Sequence, residues 1–119
     1  MRKILVVLCG VLIVFGLAGC FTSNPHLTIQ NHTWTKEYDA WIDWWTVEVT
    51  GEAINDGNVT LTYAEIWAKF YDAGDAVLEE WLDNIQNLEV GETWRFSISW
   101  LFFDVEPDHY QLRTGTLSY

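Results

Sequence analysis

Few residues of this 119-residue chain are of a type that could carry out chemistry, apart from its 17 acidic side chains. The three histidines, His26, His32 and His109, lack the spacing of a zinc site. No serine lies in a Gly-x-Ser-x-Gly turn of the kind that exposes a nucleophile. Paired carboxylates can hydrolyse glycosides only across a cleft, which a small domain seldom forms. We therefore expect a protein that is not an enzyme.

The two cysteines lie in an N-terminal segment with the pattern of an export signal. Arg2 and Lys3 precede an uncharged apolar run of fifteen residues over 4–18. At about 1.5 Å per residue this run makes a helix of roughly 22 Å, which is too short for a ~30 Å hydrocarbon core. We interpret it as a cleaved secretory signal. It ends in Leu-Ala-Gly-Cys at 17–20, which resembles the lipobox of prokaryotic lipoproteins.

The lipobox resemblance implies cleavage before Cys20 and a diacylglyceryl group on the Cys20 thiol. We therefore predict a lipoprotein signal peptide over 1–19 and a lipidated linker over 20–26. The protein would be tethered to a cell membrane and would face its extracytoplasmic side. Because Cys9 would leave with the signal, no second cysteine would remain for an intrachain disulfide or a cysteine-based metal site.

The predicted mature chain is acidic and rich in tryptophan. Four Lys and Arg residues remain against 17 acids, which gives a net charge of −13. This excess disfavours nucleic acid and anionic lipid surfaces as partners. All eight tryptophans lie after residue 20, and a 100-residue domain cannot enclose all of them. We expect several indoles at the surface, where aromatic side chains commonly contact proteins or stack on sugars.

The hydrophobic pattern after the linker has a period of two, which is typical of β-strands. Strands are predicted over 27–30, 45–53, 59–63, 66–70, 94–100 and 109–117, with 77–82 compatible with a strand or a helical turn. The alternation changes phase near Ala64, which predicts a β-bulge. The segments 33–44 and 101–107 are predicted as loops. This spacing of short strands and turns favours an antiparallel β-sandwich.

Four segments of the chain resemble the FxLYD-domain family. They are 47–55 (VEVTGEAIN), 64–73 (AEIWAKFYDA), 88–98 and 110–112. The resemblance covers about residues 44–114 and implies an immunoglobulin-like fold. The chain is thus predicted to be an all-β protein, with an immunoglobulin-like antiparallel β-sandwich of about seven strands over 27–119. Members of this family are often exported lipoproteins of bacteria and archaea without established catalysis.

Two groups of residues are candidate binding sites. If the strands that carry them are neighbours in one sheet, Trp44, Trp67 and Tyr71 line a single outer face and are the predicted binding residues. The alternative is that a loop or the membrane interface covers these side chains. Asp72 and Asp75 offer hard oxygen ligands and are candidate calcium ligands, unless they bond the amides of their own turn. No other cofactor is expected.

These observations predict a non-catalytic, lipid-anchored module that acts through a protein partner or in the structure of the cell envelope. A small carbohydrate- or calcium-binding surface module is the alternative. Asn31 and Asn58 each begin an Asn-x-Thr pattern, which is a glycosylation acceptor only in a host that modifies exported proteins.

Overall fold

The computed structural model describes residues 22–119, so the predicted signal peptide and Cys20 lie outside the described residues. This part of the chain is all-β, and it folds into two antiparallel sheets. The strands are β1 (Leu27–Asp39), β2 (Trp44–Asn55), β3 (Leu61–Tyr71), β4 (Val77–Leu88), β5 (Thr93–Phe103) and β6 (His109–Ser118). The first sheet has the order β1-β2-β5 and the second β4-β3-β6. No helix among the described residues is long and apolar enough to cross a membrane.

Strand β1 is longer than the sequence pattern predicts. The pattern ends the first strand at Gln30 and predicts a loop over 33–44, whereas β1 pairs with β2 as far as Asp39. The prediction is wrong because a bulge after Ile29 shifts the alternation, and because β1 is an edge strand with polar outer side chains. Only the residues 40–43 form the turn of this long hairpin.

The other predictions about the strands are partly confirmed and partly wrong. The segment 101–107 is not wholly a loop, since β5 continues to Phe103. The last outward-facing residues of β5 are apolar. They interrupt the alternation of apolar and polar residues, so the pattern does not predict the end of this strand. The phase change near Ala64 is confirmed, because the register of β3 against β6 shifts between Ala64 and Ile66. The segment 77–82 is extended and begins β4.

The two sheets share one hydrophobic core, built from the inward residues of the alternating strands. Phe70 of β3 and Phe102 of β5 meet edge to face across it, with ring centroids 5.5 Å apart. Burial of each such side chain is worth about 1.5–3 kcal/mol. The core aliphatic and aromatic side chains include Val47, Val49, Ile66, Phe70, Trp94, Phe96 and Ile98. Trp94 is the one buried indole of the eight, so the expectation of surface tryptophans is confirmed.

One polar side chain, that of Asn55 at the end of β2, is fully buried within the described chain. Its Nδ2 donates to the carbonyls of Val59 and Leu88, at 3.0 and 2.9 Å. Its Oδ1 accepts a hydrogen bond from the Gly57 amide at 3.1 Å. Asn55 therefore ties the β2–β3 turn to the end of β4.

The edges of β4 and β5 meet along one long side of the molecule. The Ser97 amide of β5 donates to the Asp83 carboxylate of β4 at 3.0 Å. Trp81 and Trp100 pack against each other nearby, with ring centroids 5.0 Å apart. A carboxylate bound to an edge amide blocks that amide from pairing with another strand.

Candidate functional site

The structure does not bring the three predicted binding residues together. Trp44 lies on β2 in the first sheet, whereas Trp67 and Tyr71 lie on β3 in the second sheet. The condition that their strands are neighbours is not met, so the predicted single aromatic face does not form. Strands β2 and β3 are consecutive in the chain but belong to different sheets, which the local sequence pattern does not reveal.

Trp67 faces outwards as predicted, but its indole is held by its own domain. Its Nε1 donates to Glu65 Oε1 at 3.0 Å, and the Arg113 guanidinium lies 5.0 Å from its ring. A Cβ at Gly115 would come within 2.6 Å of the indole, so the backbone of β6 passes directly against it. The N–H group, one edge and one face of this indole are therefore engaged within the second sheet.

Glu65 is the centre of this polar cluster. Besides the indole it accepts hydrogen bonds from the Tyr63 hydroxyl, at 2.5 Å, and from the Thr116 amide, at 3.0 Å. These donors, Tyr63 first, hold the pKa of the Glu65 carboxyl below its ordinary value. The same contact raises the pKa of Tyr63, because the neighbouring carboxylate accepts the phenol proton.

Tyr71 is likewise engaged within the second sheet. Its ring stacks on His109 with centroids 4.9 Å apart and planes 7° from parallel. Its hydroxyl donates to Gln111 Oε1 at 3.1 Å. The His109 ring bridges two carboxylates, with Nε2 3.1 Å from Asp75 and Nδ1 2.9 Å from Asp108. Tyr71 therefore stabilises the β3–β6 pair.

The candidate calcium ligands lie in the β3–β4 turn but have other partners. Asp72 Oδ1 accepts hydrogen bonds from the amides of Gly74 and Ala76, both at 2.9 Å. Asp72 therefore bonds the amides of its own turn, which is the predicted alternative to a calcium ligand. Asp75 pairs with His109. Among residues 22–119 no group of three or more His, Cys, Asp or Glu side chains is arranged to hold a metal ion.

The most exposed large apolar side chain described is Trp41, in the turn between β1 and β2. Its exposed fraction is 97%, and those of Ile42 and Phe103 are 50% and 58%. Trp44 packs against Phe103 with centroids 5.5 Å apart, which places the end of β5 beside this turn. We call this end of the first sheet the distal end. The sequence placed Trp41 in a loop but gave no reason to prefer it over the other tryptophans.

A shallow groove of about 500 Å³ adjoins the distal end. It is lined by Thr46, Ser99, Trp100, Leu101 and Phe103, and we call it the outer groove. Phe103 at its edge packs against Trp44 of β2 on the outer face. Trp100 pairs with the buried Val47, so its indole turns to the inner side, where it packs against Trp81 of β4.

Acidic residues flank the outer groove. Directly paired residues of an antiparallel sheet share a face, so the register puts Glu37 on the same face as Thr46. It likewise puts Asp39 on the face of Trp44, and Glu48 on the face of Ser99.

The nearest cation, Lys36, turns the opposite way. Its Nζ donates to Glu106 at 2.8 Å and to the Pro107 carbonyl at 2.9 Å. It also lies 5.3 Å from the ring centroid of Trp45 and 5.4 Å from that of Trp34, which gives two cation–π contacts. Lys36 thus joins β1 to the loop before β6 and leaves the outer face acidic.

The chain enters the domain at the end opposite Trp41. Leu27 pairs with Asn55, so the residues before β1 lie against the β2–β3 turn. His26 Nδ1 lies 2.6 Å from an Asp56 oxygen, and Asn58 binds the segment through its side chain. Hydrogen bonds from Thr28 and then His26 lower the pKa of Asp56. The described part of the predicted linker is therefore fixed to the domain.

Comparisons with known proteins identify one informative relative. No family model matches the chain, and no solved structure matches it. The chain is similar to the uncharacterized protein MJ0360 of Methanocaldococcus jannaschii, with 30% identity over 105 residues. The match covers 77% of this chain and 73% of the archaeal protein. The chain belongs to the same family as that archaeal protein.

Proposed function

We propose that this protein is a non-catalytic, lipid-anchored module that binds a protein partner on the extracytoplasmic side of a cell membrane. In this proposal the two sheets form an immunoglobulin-like β-sandwich of the FxLYD type, and Cys20 carries the lipid. The observation that carries the proposal is the exposure of Trp41 at the distal end, with apolar Ile42 and Phe103 beside it. Large exposed aromatic side chains grouped at one place are typical of contact sites.

The position of Trp41 relative to the linker supports this function. β1 has 13 residues, and a strand rises about 3.3 Å per residue, so the 40–43 turn lies roughly 40 Å from the end at which the chain enters. A lipid on Cys20 would be at the entry end. The distal end would then point away from the membrane that holds the protein, where a partner can reach it.

The non-catalytic part of the proposal rests on what the clustered titratable groups do. Glu65 and His109 each bind two or more neighbours that belong to the sheet framework or its turns. These interactions account for the groups structurally, and the most exposed large side chain of the distal end, that of Trp41, is apolar.

Photocrosslinking of the intact lipoprotein in its own membrane tests the proposal. A photoreactive phenylalanine analogue replaces Ile42, next to Trp41. We expect it to capture one protein partner, and we expect Trp41→Ala to abolish the capture. Trp81→Ala is the matched control, since Trp81 is also exposed but lies on β4. Capture that is unaffected by Trp41→Ala, or capture of lipid alone, would contradict the proposal.

A carbohydrate ligand is the second candidate, because an indole as exposed as that of Trp41 can stack on a sugar ring. Binding of the purified protein to a glycan array, lost in Trp41→Ala and retained in Trp81→Ala, would favour it over a protein partner. A calcium site at Asp72 and Asp75 has weaker support, because their carboxylates already bind the turn amides and His109.

A further inference from the structure

We infer that the outer groove binds a basic, amphipathic segment of the protein partner. This inference rests on the proposed function, and it names a second contact region beside Trp41 together with the chemistry of what occupies it. The occupant is a stretch of chain with apolar side chains on one side and Lys or Arg next to them.

The apolar floor of the groove is formed by Leu101 and Phe103, which face outwards and have no role in the core. The outward residues of β5 are polar from Thr93 to Ser99 and then become Leu101 and Phe103. Phe103 is more than half exposed, and Leu101 lines the groove beside it. Trp100 also lines the groove, but it pairs with the buried Val47 and packs against the core. Residues that face solvent on a sheet gain burial only when another molecule covers them.

The size of the groove also fits a bound segment of chain. A volume of about 500 Å³ lies within the range of sites that enclose small ligands, about 300–1,000 Å³. The groove is open, so it can receive side chains from a passing segment of chain. The Trp44–Phe103 pair, which lies on the same outer face, provides a rigid wall at the distal end.

The acidic side chains beside the groove favour a basic occupant. Glu37, Asp39 and Glu48 share the face of the groove, and no Lys or Arg of the described chain shares the distal half of that face. The nearest cation, Lys36, points inwards to Glu106. Complementary charges around an apolar contact direct association and select the partner.

The same charge argues against the other occupants. A second copy of this chain would bring carboxylates against carboxylates, which is unfavourable at an interface. A membrane with anionic headgroups would repel the face for the same reason. A basic, amphipathic segment would cover the apolar floor with its apolar side chains and pair its Lys or Arg with the acidic flank.

The test uses the full lipoprotein in its own membrane, with the photoreactive phenylalanine analogue in place of Thr46 in the groove. The same analogue in place of Thr62, exposed on β3, is the control position. Mass spectrometry identifies the captured peptide. We expect the Thr46 position to capture a protein segment of net positive charge, and the Thr62 position not to capture it.

Two pairs of variants test the floor and the flank separately. We expect Leu101→Ser with Phe103→Ser, and independently Glu37→Gln with Glu48→Gln, to reduce this capture at least about tenfold. The matched controls are Val77→Ser with Val90→Ser, which replace exposed apolar side chains by serine away from the groove, and Glu79→Gln with Glu89→Gln, which make the same charge change there. We expect these controls to leave capture unchanged. The glutamine pair keeps the apolar floor, so it tests the inference even if the serine pair unfolds.

The outcomes separate this inference from the proposed function. Capture at position 46 of lipid, of a second copy of this chain, or of a segment without positive charge would overturn the groove assignment, as would no capture there. If the position 42 probe still captures a protein through Trp41, the proposed function stands while this inference fails. If neither position captures a protein, both fail.

Discussion

Asn58 binds Asn24 through both its side chain and its backbone. Asn58 Oδ1 accepts a hydrogen bond from the Asn24 amide at 2.6 Å, and the Asn58 amide donates to the Asn24 carbonyl at 3.2 Å. Asn58 Nδ2 also donates to the Thr22 carbonyl at 2.8 Å. One residue, Phe21, separates this fixed segment from Cys20. A lipid on Cys20 would therefore hold the domain close to the membrane and in a restricted orientation.

The first prediction is that Asn58→Ala frees the entering segment. The substitution removes two hydrogen bonds at the surface, so we expect the free energy of unfolding to fall by about 1 kcal/mol. Amide hydrogen exchange of Asn24 should become faster, and proteases should cut over 22–26. Asn84→Ala, at an exposed asparagine of β4, is the control. Unchanged exchange at Asn24 would show that Asn58 does not hold the segment.

The second prediction concerns the buried amide of Asn55. Asn55→Ala leaves the carbonyls of Val59 and Leu88 without their side-chain donor in the protein interior. An unsatisfied buried group costs about 1–3 kcal/mol, so we expect a loss of roughly 3 kcal/mol in the free energy of unfolding. Denaturant unfolding measures this loss. A loss no larger than that of Asn84→Ala would mean that water replaces the amide.

The third prediction concerns Gly51, which lies opposite Phe96 in the β2–β5 pair. A Cβ at position 51 would clash with the backbone carbonyl oxygen of Asn31 and would come within 2.6 Å of Phe96 Cζ, so both neighbours need the space that glycine leaves. We expect Gly51→Ala to destabilise the domain by about 1–3 kcal/mol through overpacking. Thermal unfolding measures this effect. Phe96→Leu in the same chain should recover the part of the loss that comes from the ring, and no recovery would place the strain at the Asn31 carbonyl.

The sequence predicted those parts of the fold that depend on local patterns, and it missed those that depend on contacts between distant residues. Residues such as Val47 and Ile98 alternate with polar neighbours on central or clearly amphipathic strands, so local pattern predicts their burial. The full length of β1 was not predicted, because its bulge and its polar outer face remove that pattern. The segment VEVTGEAIN predicts a strand but does not show that its last residue is the buried Asn55.

The candidate site was harder to predict, because it depends on contacts between distant parts of the chain. Trp67 is outward in the pattern, yet Arg113 and Gly115 from β6 occupy its surroundings. Lys36 pairs with the buried Val47 and so faces inwards, where Glu106 from a distant segment binds it. Sheet order decides which aromatic residues remain exposed, and a period of two carries no information about sheet order.

The last prediction concerns the pH dependence of stability at Glu65. Its pKa in the folded protein is lowered from the ordinary 4.5, mainly by the Tyr63 hydroxyl, then by the Thr116 amide and Trp67. A lowered folded pKa means that the stabilisation is fully present above pH 4.5 and is lost as the pH falls through the folded pKa.

We therefore expect Glu65→Gln to lower the melting temperature at neutral pH, and the difference from the wild type to shrink steadily below pH 4.5. Tyr63→Phe removes one of the donors to the carboxylate, so its melting curves should show a smaller pH dependence of the same sign. Melting temperatures measured from pH 7 downwards for the three proteins make the comparison. Parallel curves for wild type and Glu65→Gln would show that the charge of Glu65 is not what the three donors stabilise.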